Sequence, residues 1–458
     1  MNPIMTEEIL KSWKETETTQ YSMEYLLDWI WNCNRSVIVN IKPNKLSDSS
    51  YWIHDNEQDC IRTIDNSFFS IWGLKAYQND LQIAEQPIIL QEEIGYLGIL
   101  CTNIKGRLHF LMQAKIEPGN INKVQISPTI QATKSNFLQK HGGRKPYYLE
   151  YFLNAPNYTV LVDQIQSEQS SRFYKKRNRN IIIYINHDVP EMPNYRWMTL
   201  GQIKQLMKID NIVNMDTRTV LSCIPTSLSA NVAHEVISYF RDVTLYNSIF
   251  SREQSDKELV SLFNHINNYK MFQETKCTLV GLNKLNNWRI QDDKISCIEP
   301  YNFHVIFCDI EVEGREVRNW MQPLFCAEGN ATFGLYTCVM DGKRKFLIHL
   351  QAEYGCFDGI ELGPTIQREY VNNSERDEVE KKFFQQYNSK KGILFDAFLS
   401  EEGGRFYHEQ NKNIILETSY FEPTEGYYWI SYYTLNLMNQ FNNCLNIQLR
   451  NLLSLLEI

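Results

Sequence analysis

Apolar residues recur at helical spacing in Met23–Asn34 (MEYLLDWIWNCN) and again in Lys257–Tyr269 (KELVSLFNHINNY), which predicts an amphipathic helix at each place. After each helix the pattern shortens to strand-like runs. Examples are Arg62–Leu74, Tyr96–Ile104, Arg107–Glu117, Asn180–Ile185 and Asn411–Thr418. Longer periodic stretches, Thr199–Ile224 and Thr434–Leu456, predict a closing helix in each part of the chain. Asn231–Phe250 reads as a further helix connecting the two parts. Mixed sheet with flanking helices is the α+β class.

The pattern is the same twice because the sequence is. Pro-Thr-Ile-Gln begins at Pro128 and at Pro364, 236 residues apart. The same interval joins Gln86-Pro87 to Gln322-Pro323, Gly98 to Gly334 and Trp52 to Trp288. Two further pairings use small insertions. QAKIEPG (Gln113–Gly119) is set against QAEYG (Gln351–Gly355), and Ser167–Ile183 against Ser400–Ile415, both with Arg-Phe-Tyr. This places Gln113 with Gln351 and Lys115 with Glu353, and sets Thr133, Lys134 and Ser135 against Glu369, Tyr370 and Val371. A period of about 230 residues is that of a duplicated domain, not of a solenoid unit. The expected organisation is a first repeat over residues 1–225, a connecting segment over 226–257 and a second repeat over 258–458.

Composition narrows the class. Of 458 residues, 43% are hydrophobic and 22% charged, ordinary for a globular chain. The net charge of −8 supplies no basic field for nucleic acid, so a nucleic-acid module around KKRNRN (Lys175–Asn180) is disfavoured. The 11 cysteines include no C-x-x-C pair and read as reduced, buried thiols. No 18-residue apolar run and no signal-like N-terminus occurs, so the cytoplasm is expected. P-loop, dinucleotide-binding, H-E-x-x-H and G-x-S-x-G patterns are all missing.

Candidate chemistry comes from polar residues present in both copies. Gln113, Gln131, Gln351 and Gln367 offer both donors and acceptors, suited to sugar hydroxyls or a pyrimidine edge; satisfying buried backbone is the plainer alternative. Arg172 and Arg405 follow Ser167-Glu168 and Glu401-Glu402-Gly403-Gly404, and a guanidinium is the usual bidentate partner of phosphate. An internal pair with a neighbouring glutamate is the competing reading. Trp52 and Trp288 are either stacking walls or core. His141-Gly142-Gly143-Arg144 occurs only in the first copy, as a polar loop or a simple turn.

The strings QPIILQEEIGYLGI (from Gln86), FLMQAKIEPGN (from Phe110), SPTIQATKSNF (from Ser127) and QSEQSSRFYKKRNRN (from Gln166) resemble the NDP-hexose 2,3-dehydratase family. REVRNWMQPL, GPTIQ and EEGGRFY resemble that family's second half, and the likeness runs from about Leu26 to Leu453. The resemblance implies two Nudix-like mixed-sheet domains in tandem, without the Nudix hydrolase box. It implies action on dTDP-4-keto-6-deoxy-glucose, loss of the C2 hydroxyl as water, no cofactor or metal, a homodimer, and a 3-ketoreductase using NADPH that consumes the product. A binding protein for the same nucleotide sugar, without turnover, is the alternative.

That chemistry needs a base for C3–H, an acid for the C2 oxygen, donors for the O4 enolate and a diphosphate clamp. Lys115, Glu117, His141, Glu168 and Tyr174 are the acid–base candidates, with roles unassigned. Expected binding residues are Trp52, Gln113, Gln131, Thr133, Lys134, Ser135, Asn136, Phe137, Ser167, Arg172, Lys175, Trp288, Gln351, Gln367, Glu402, Gly403, Gly404 and Arg405. The Ala-Thr-Lys-Ser-Asn segment points to the first copy as the catalytic one.

Overall fold

The computed structural model describes residues 3–18, 20–133, 145–226, 236–250, 252, 255–313, 317–371 and 374–458. Each copy builds a six-stranded and a seven-stranded sheet, so the α+β duplication expected from the sequence is present. In the first copy the seven-stranded sheet runs Thr159–Ser167, Arg177–Tyr184, Gly95–Ile104, Arg107–Ile116, Tyr195–Met198, with Val124–Ser127 and Ile130–Ala132 added on one side. The second copy repeats this order from Ile393–Ser400 to Tyr427–Ser431.

The six-stranded sheets exchange a strand. Val39–Pro43, from the first copy, lies antiparallel to Phe303–Val312 of the second. Thr275–Val280, from the second, lies antiparallel to Ser70–Gln78 of the first. Both sheets share one aromatic core, in which Trp52, Phe69 and Phe173 meet Trp288, Phe303, Phe325 and Phe406. The halves therefore do not fold as two beads on a string.

Register corrects the sequence pairing around Gln113. Gln113 lies opposite Ser127 and His349 opposite Gly363. Ser127 and Gly363 each precede Pro-Thr-Ile-Gln, so Gln113 corresponds to His349, Lys115 to Gln351 and Glu117 to Glu353. The shared Gln-Ala of the two strings is two residues out of step; such a shift leaves each side chain on the same face, so the ladder pairing to the Pro-Thr-Ile-Gln strand decides the register.

The repeated Pro-Thr-Ile-Gln has a structural use. Thr129 donates to Leu111 O and accepts from Leu100 N; Thr365 does the same with Leu347 O and Tyr336 N. Gln131 Nε2 donates to Glu117 at 3.0 Å while its oxygen accepts from Asn214. Gln367 joins Glu353 to Asn446 in the same way. Buried polar atoms are thus satisfied in fixed positions.

Each predicted closing helix is two. Leu200–Leu206 and Met215–Ser222 replace the single helix over Thr199–Ile224, and Tyr432–Met438 and Ile447–Ser454 its counterpart. The break is an extended stretch pulled onto a strand: Ile126 N donates to Ile212 O and Asn214 N to Ile126 O. Asn211 and Asn443 take positive φ there, and Asn214 and Asn446 cap the second helices. The connecting stretch is likewise shorter than expected: within its described part the α-helix is Val243–Ile249, started by the Asp242 side chain accepting from Thr244 N.

Gly119 and Gly355 lock the copies together. Gly119 N donates to Gly403 O and its carbonyl accepts from His408 N; Gly355 pairs with Ser170 and Lys175. A Cβ on Gly119 would sit 1.7 Å from the Phe406 carbonyl oxygen, with backbone on both sides. Gly119→Ala is expected to cost at least about 3 kcal/mol; a urea unfolding midpoint unchanged from wild type would refute this.

Candidate active site

A cavity of about 1020 Å³ opens between the copies. Its depth belongs mainly to the first copy: Lys115, Glu117, Gln131, Glu168, Lys176, Asn178 and Asp216. The second copy closes it with Gln322, Glu402, Gly404 and Arg405. Its mouth is more exposed and includes Asn40 and Lys42 of the exchanged strand, with Asn319 and the half-buried Trp320 beside it.

Charges in the depth are matched in part. Lys115 Nζ lies 3.0 Å from Glu117 Oε1, which also receives Gln131. Asn178 Nδ2 donates to Glu168 Oε2 at 2.6 Å. Arg405 stands over Phe68 and Phe69, 5.0 and 5.3 Å from the ring centres. Its Nη1 is 3.4 Å from Glu402 and its Nη2 donates to Gln91 at 3.1 Å. Lys176 donates to the Glu93 carbonyl. Glu168 Oε1, Asp216 Oδ1 and Arg405 Nε are among the buried atoms with no hydrogen-bond partner among the described residues.

Burial then sets protonation. It pushes the Glu168 carboxyl up to about 7, helped by the charge of Glu402. Burial also raises Glu402. The Asp216 carboxyl is raised well above its usual range, by burial and then by Glu168, Glu402 and Glu117. The Lys176 ammonium is pushed down to about 8, by burial first and by Arg405 second. Buried carboxyls that keep protons beside an amine that releases one are a chemically suitable set for proton transfer near neutral pH.

The expected site residues divide. Lys115, Glu117, Gln131, Thr133, Glu168, Glu402, Gly404, Arg405 and Trp52 line the cavity, although Trp52 is only 1% exposed and packs on Phe69. Trp288 lies in the aromatic core, its Nε1 donating to Glu85 O. Gly403 serves the contact with Gly119. Ser167, Gln351 and Gln367 belong to the corresponding region of the second copy; Ser167 donates to Glu361 and Gln351 lies opposite Glu361. Arg172 also crosses over: it is 2% exposed, 4.3 Å from the Phe303 ring and 3.4 Å from Glu369. Gln113, Tyr174 and Lys175 do not line the cavity; Lys175 N binds Gly355 O. Lys134, Ser135, Asn136, Phe137 and His141 lie outside the described residues.

Lys176, read only as part of the basic run KKRNRN, and Asp216 and Trp320 were not singled out from the sequence. The signal for the first two was difference between copies rather than identity. Glu168 N binds Lys176 O as Glu401 N binds Glu409 O, so Lys176 corresponds to Glu409. Two residues beyond the caps Asn214 and Asn446, Asp216 corresponds to Gln448. Shared polar residues hold the scaffold; Lys115, Lys176 and Asp216 have become glutamine, glutamate and glutamine in the second copy. Among the described residues no group of three His, Cys, Asp or Glu is arranged to hold a metal ion.

Fold and cleft together define a duplicated α+β protein with a cleft of titratable side chains shared between its halves. The model described as NDP-hexose 2,3-dehydratase matches residues 23–224 and 259–456. A Saccharopolyspora spinosa protein named dTDP-4-dehydro-6-deoxy-alpha-D-glucopyranose 2,3-dehydratase is 36% identical over 419 residues, 89% of this chain and 86% of its own. Proteins of the same name from Streptomyces violaceoruber and Amycolatopsis orientalis are 32% and 31% identical, covering 89% and 96% of this chain and 91% of each relative. The chain belongs to the NDP-hexose 2,3-dehydratase family.

Proposed function

We propose that the protein removes water from dTDP-4-keto-6-deoxy-glucose, taking the proton from C3 and the hydroxyl from C2 to give a 3,4-diketo-2,6-dideoxy sugar nucleotide. The observation that carries this reading is the meeting of the buried Lys176 and Asp216 with the part-buried Lys115 in one cleft of a chain of this family. The 4-ketone acidifies C3–H, and Lys176, with its proton held weakly, is the base. Lys115 meets the O4 enolate in this proposal. Arg405, with a free buried Nε, is the diphosphate clamp. The first-copy cleft is the working site, with Thr133 leading into the segment that follows. The corresponding region of the second copy, around Arg172, Glu353 and Gln367, is a binding or supporting half.

We further propose that the chain forms two Nudix-like repeats, over 1–225 and 258–458, in a cytoplasmic homodimer. The unstable diketone is passed to a 3-ketoreductase using NADPH. Among the described residues no helix is long and apolar enough to cross a membrane. Incubation with dTDP-4-keto-6-deoxy-glucose and an added 3-ketoreductase should yield a reduced 2-deoxy sugar nucleotide. Binding of the substrate without loss of water would instead favour a non-catalytic binding protein.

A further inference from the structure

We propose that Asp216 is the acid that protonates the departing C2 oxygen, an assignment that rests on the dehydratase reading above. Four carboxyls face the deep cleft, Glu117, Glu168, Asp216 and Glu402, against three cations, Lys115, Lys176 and Arg405. Glu117 is held by Lys115, Glu402 by Arg405, and Glu168 by the Asn178 amide. Asp216 is in no ion pair among the described residues, is 2% exposed and has one oxygen without a partner. The charges that reach it are Lys115 and Glu117 from one strand and its turn, Glu168 and Glu402 from the two copies' Arg-Phe-Tyr turns, and Arg218 on its own helix. Burial and three carboxylate neighbours keep the proton on this group. A diphosphate substrate adds negative charge and strengthens that tendency. The second copy keeps the capped helix and the Gln–Glu–Asn chain but has Gln448 at this position, so the carboxyl is not needed for the fold.

The step balances without an oxidant. After C3 gives its proton to the base, the enolate pair re-forms the C4 carbonyl, makes the C2–C3 double bond and breaks C2–O. Asp216 gives its proton to that oxygen, and water leaves. The O3 proton then returns to Asp216 as the 3-ketone forms, and the proton taken from C3 is delivered to C2.

Asp216→Asn keeps shape and neutrality but has no proton to give. In deuterium oxide with dTDP-4-keto-6-deoxy-glucose, dehydration should fall by about 10²- to 10⁴-fold, while C3–H exchange continues at the wild-type rate. A 2-deoxy-2-fluoro analogue, whose fluoride leaves without a proton, should restore elimination in the variant. Dehydration at the wild-type rate, or loss of exchange together with dehydration in a variant that still binds dTDP, would overturn the assignment. Should the variant not fold, the wild-type enzyme decides: its alkaline loss of activity on the natural substrate should vanish with the fluoro analogue, and a limb common to both would overturn it. A wild-type enzyme that neither exchanges nor dehydrates would count against the reading in the preceding section instead.

Discussion

Lys176→Met is expected to abolish both C3–H exchange and dehydration, each by about 10²- to 10⁴-fold. Lys176→Arg should be equally inactive, because a guanidinium keeps its proton at any working pH. The physical reason is that Lys176 is 5% exposed and beside Arg405, so its ammonium loses a proton near 8 instead of above 10. A base works in its neutral form. The rate at subsaturating substrate should therefore rise with pH up to about 8 on this limb, and methionine should remove the rise. An active arginine variant would show that the position supplies charge and not a base. The second copy carries Glu409 here in place of the amine.

Glu361→Gln is expected to stabilise the protein by a few kcal/mol at pH 8 and to have little effect near pH 4.5. Glu361 is 2% exposed, with Oε1 unpartnered and Oε2 accepting from Ser167 at 2.9 Å. Burial raises its carboxyl to about 8. The unfolded chain ionises this group above about 4.5, while the folded chain holds the proton until about 8. Stability is therefore lost as pH rises through that window, and glutamine has nothing to ionise. Its counterpart Gln125 already sits in the first copy, where it accepts from Ser400 at 2.8 Å, so the amide fits. Thermal midpoints of the two proteins measured from pH 5 to 8.5 should diverge steadily. Parallel curves would refute the argument.

Both predictions fall on positions where the copies differ, and this was the part hardest to read along the chain. The opening helices, the strands at Tyr96 and Arg107 and the duplication itself are legible from spacing, because local periodicity and repeated strings are properties of the sequence. Repetition alone pointed to the shared glutamines and arginines as chemistry. In the folded chain Gln131 and Gln367 tie strands to helix caps, and Gln86 and Gln322 hold the carbonyls of Ser171 and Gly404. Shared residues satisfy a shared scaffold. The residues that differ are released from it.

By itself the sequence determined the α+β class, the duplication and the family resemblance, because these rest on local pattern and on the order of strings along the chain. Tertiary structure decided the true register of Gln113, the split of each closing helix and the strand exchange between copies. It also decided which arginine serves which cleft, since Arg172 and Arg405 each cross to the other copy. Above all it brought Lys176, Asp216 and Glu402 to one cavity. Residues 40 to 226 positions apart in sequence influence one another's protonation only when the fold brings them into one low-dielectric space.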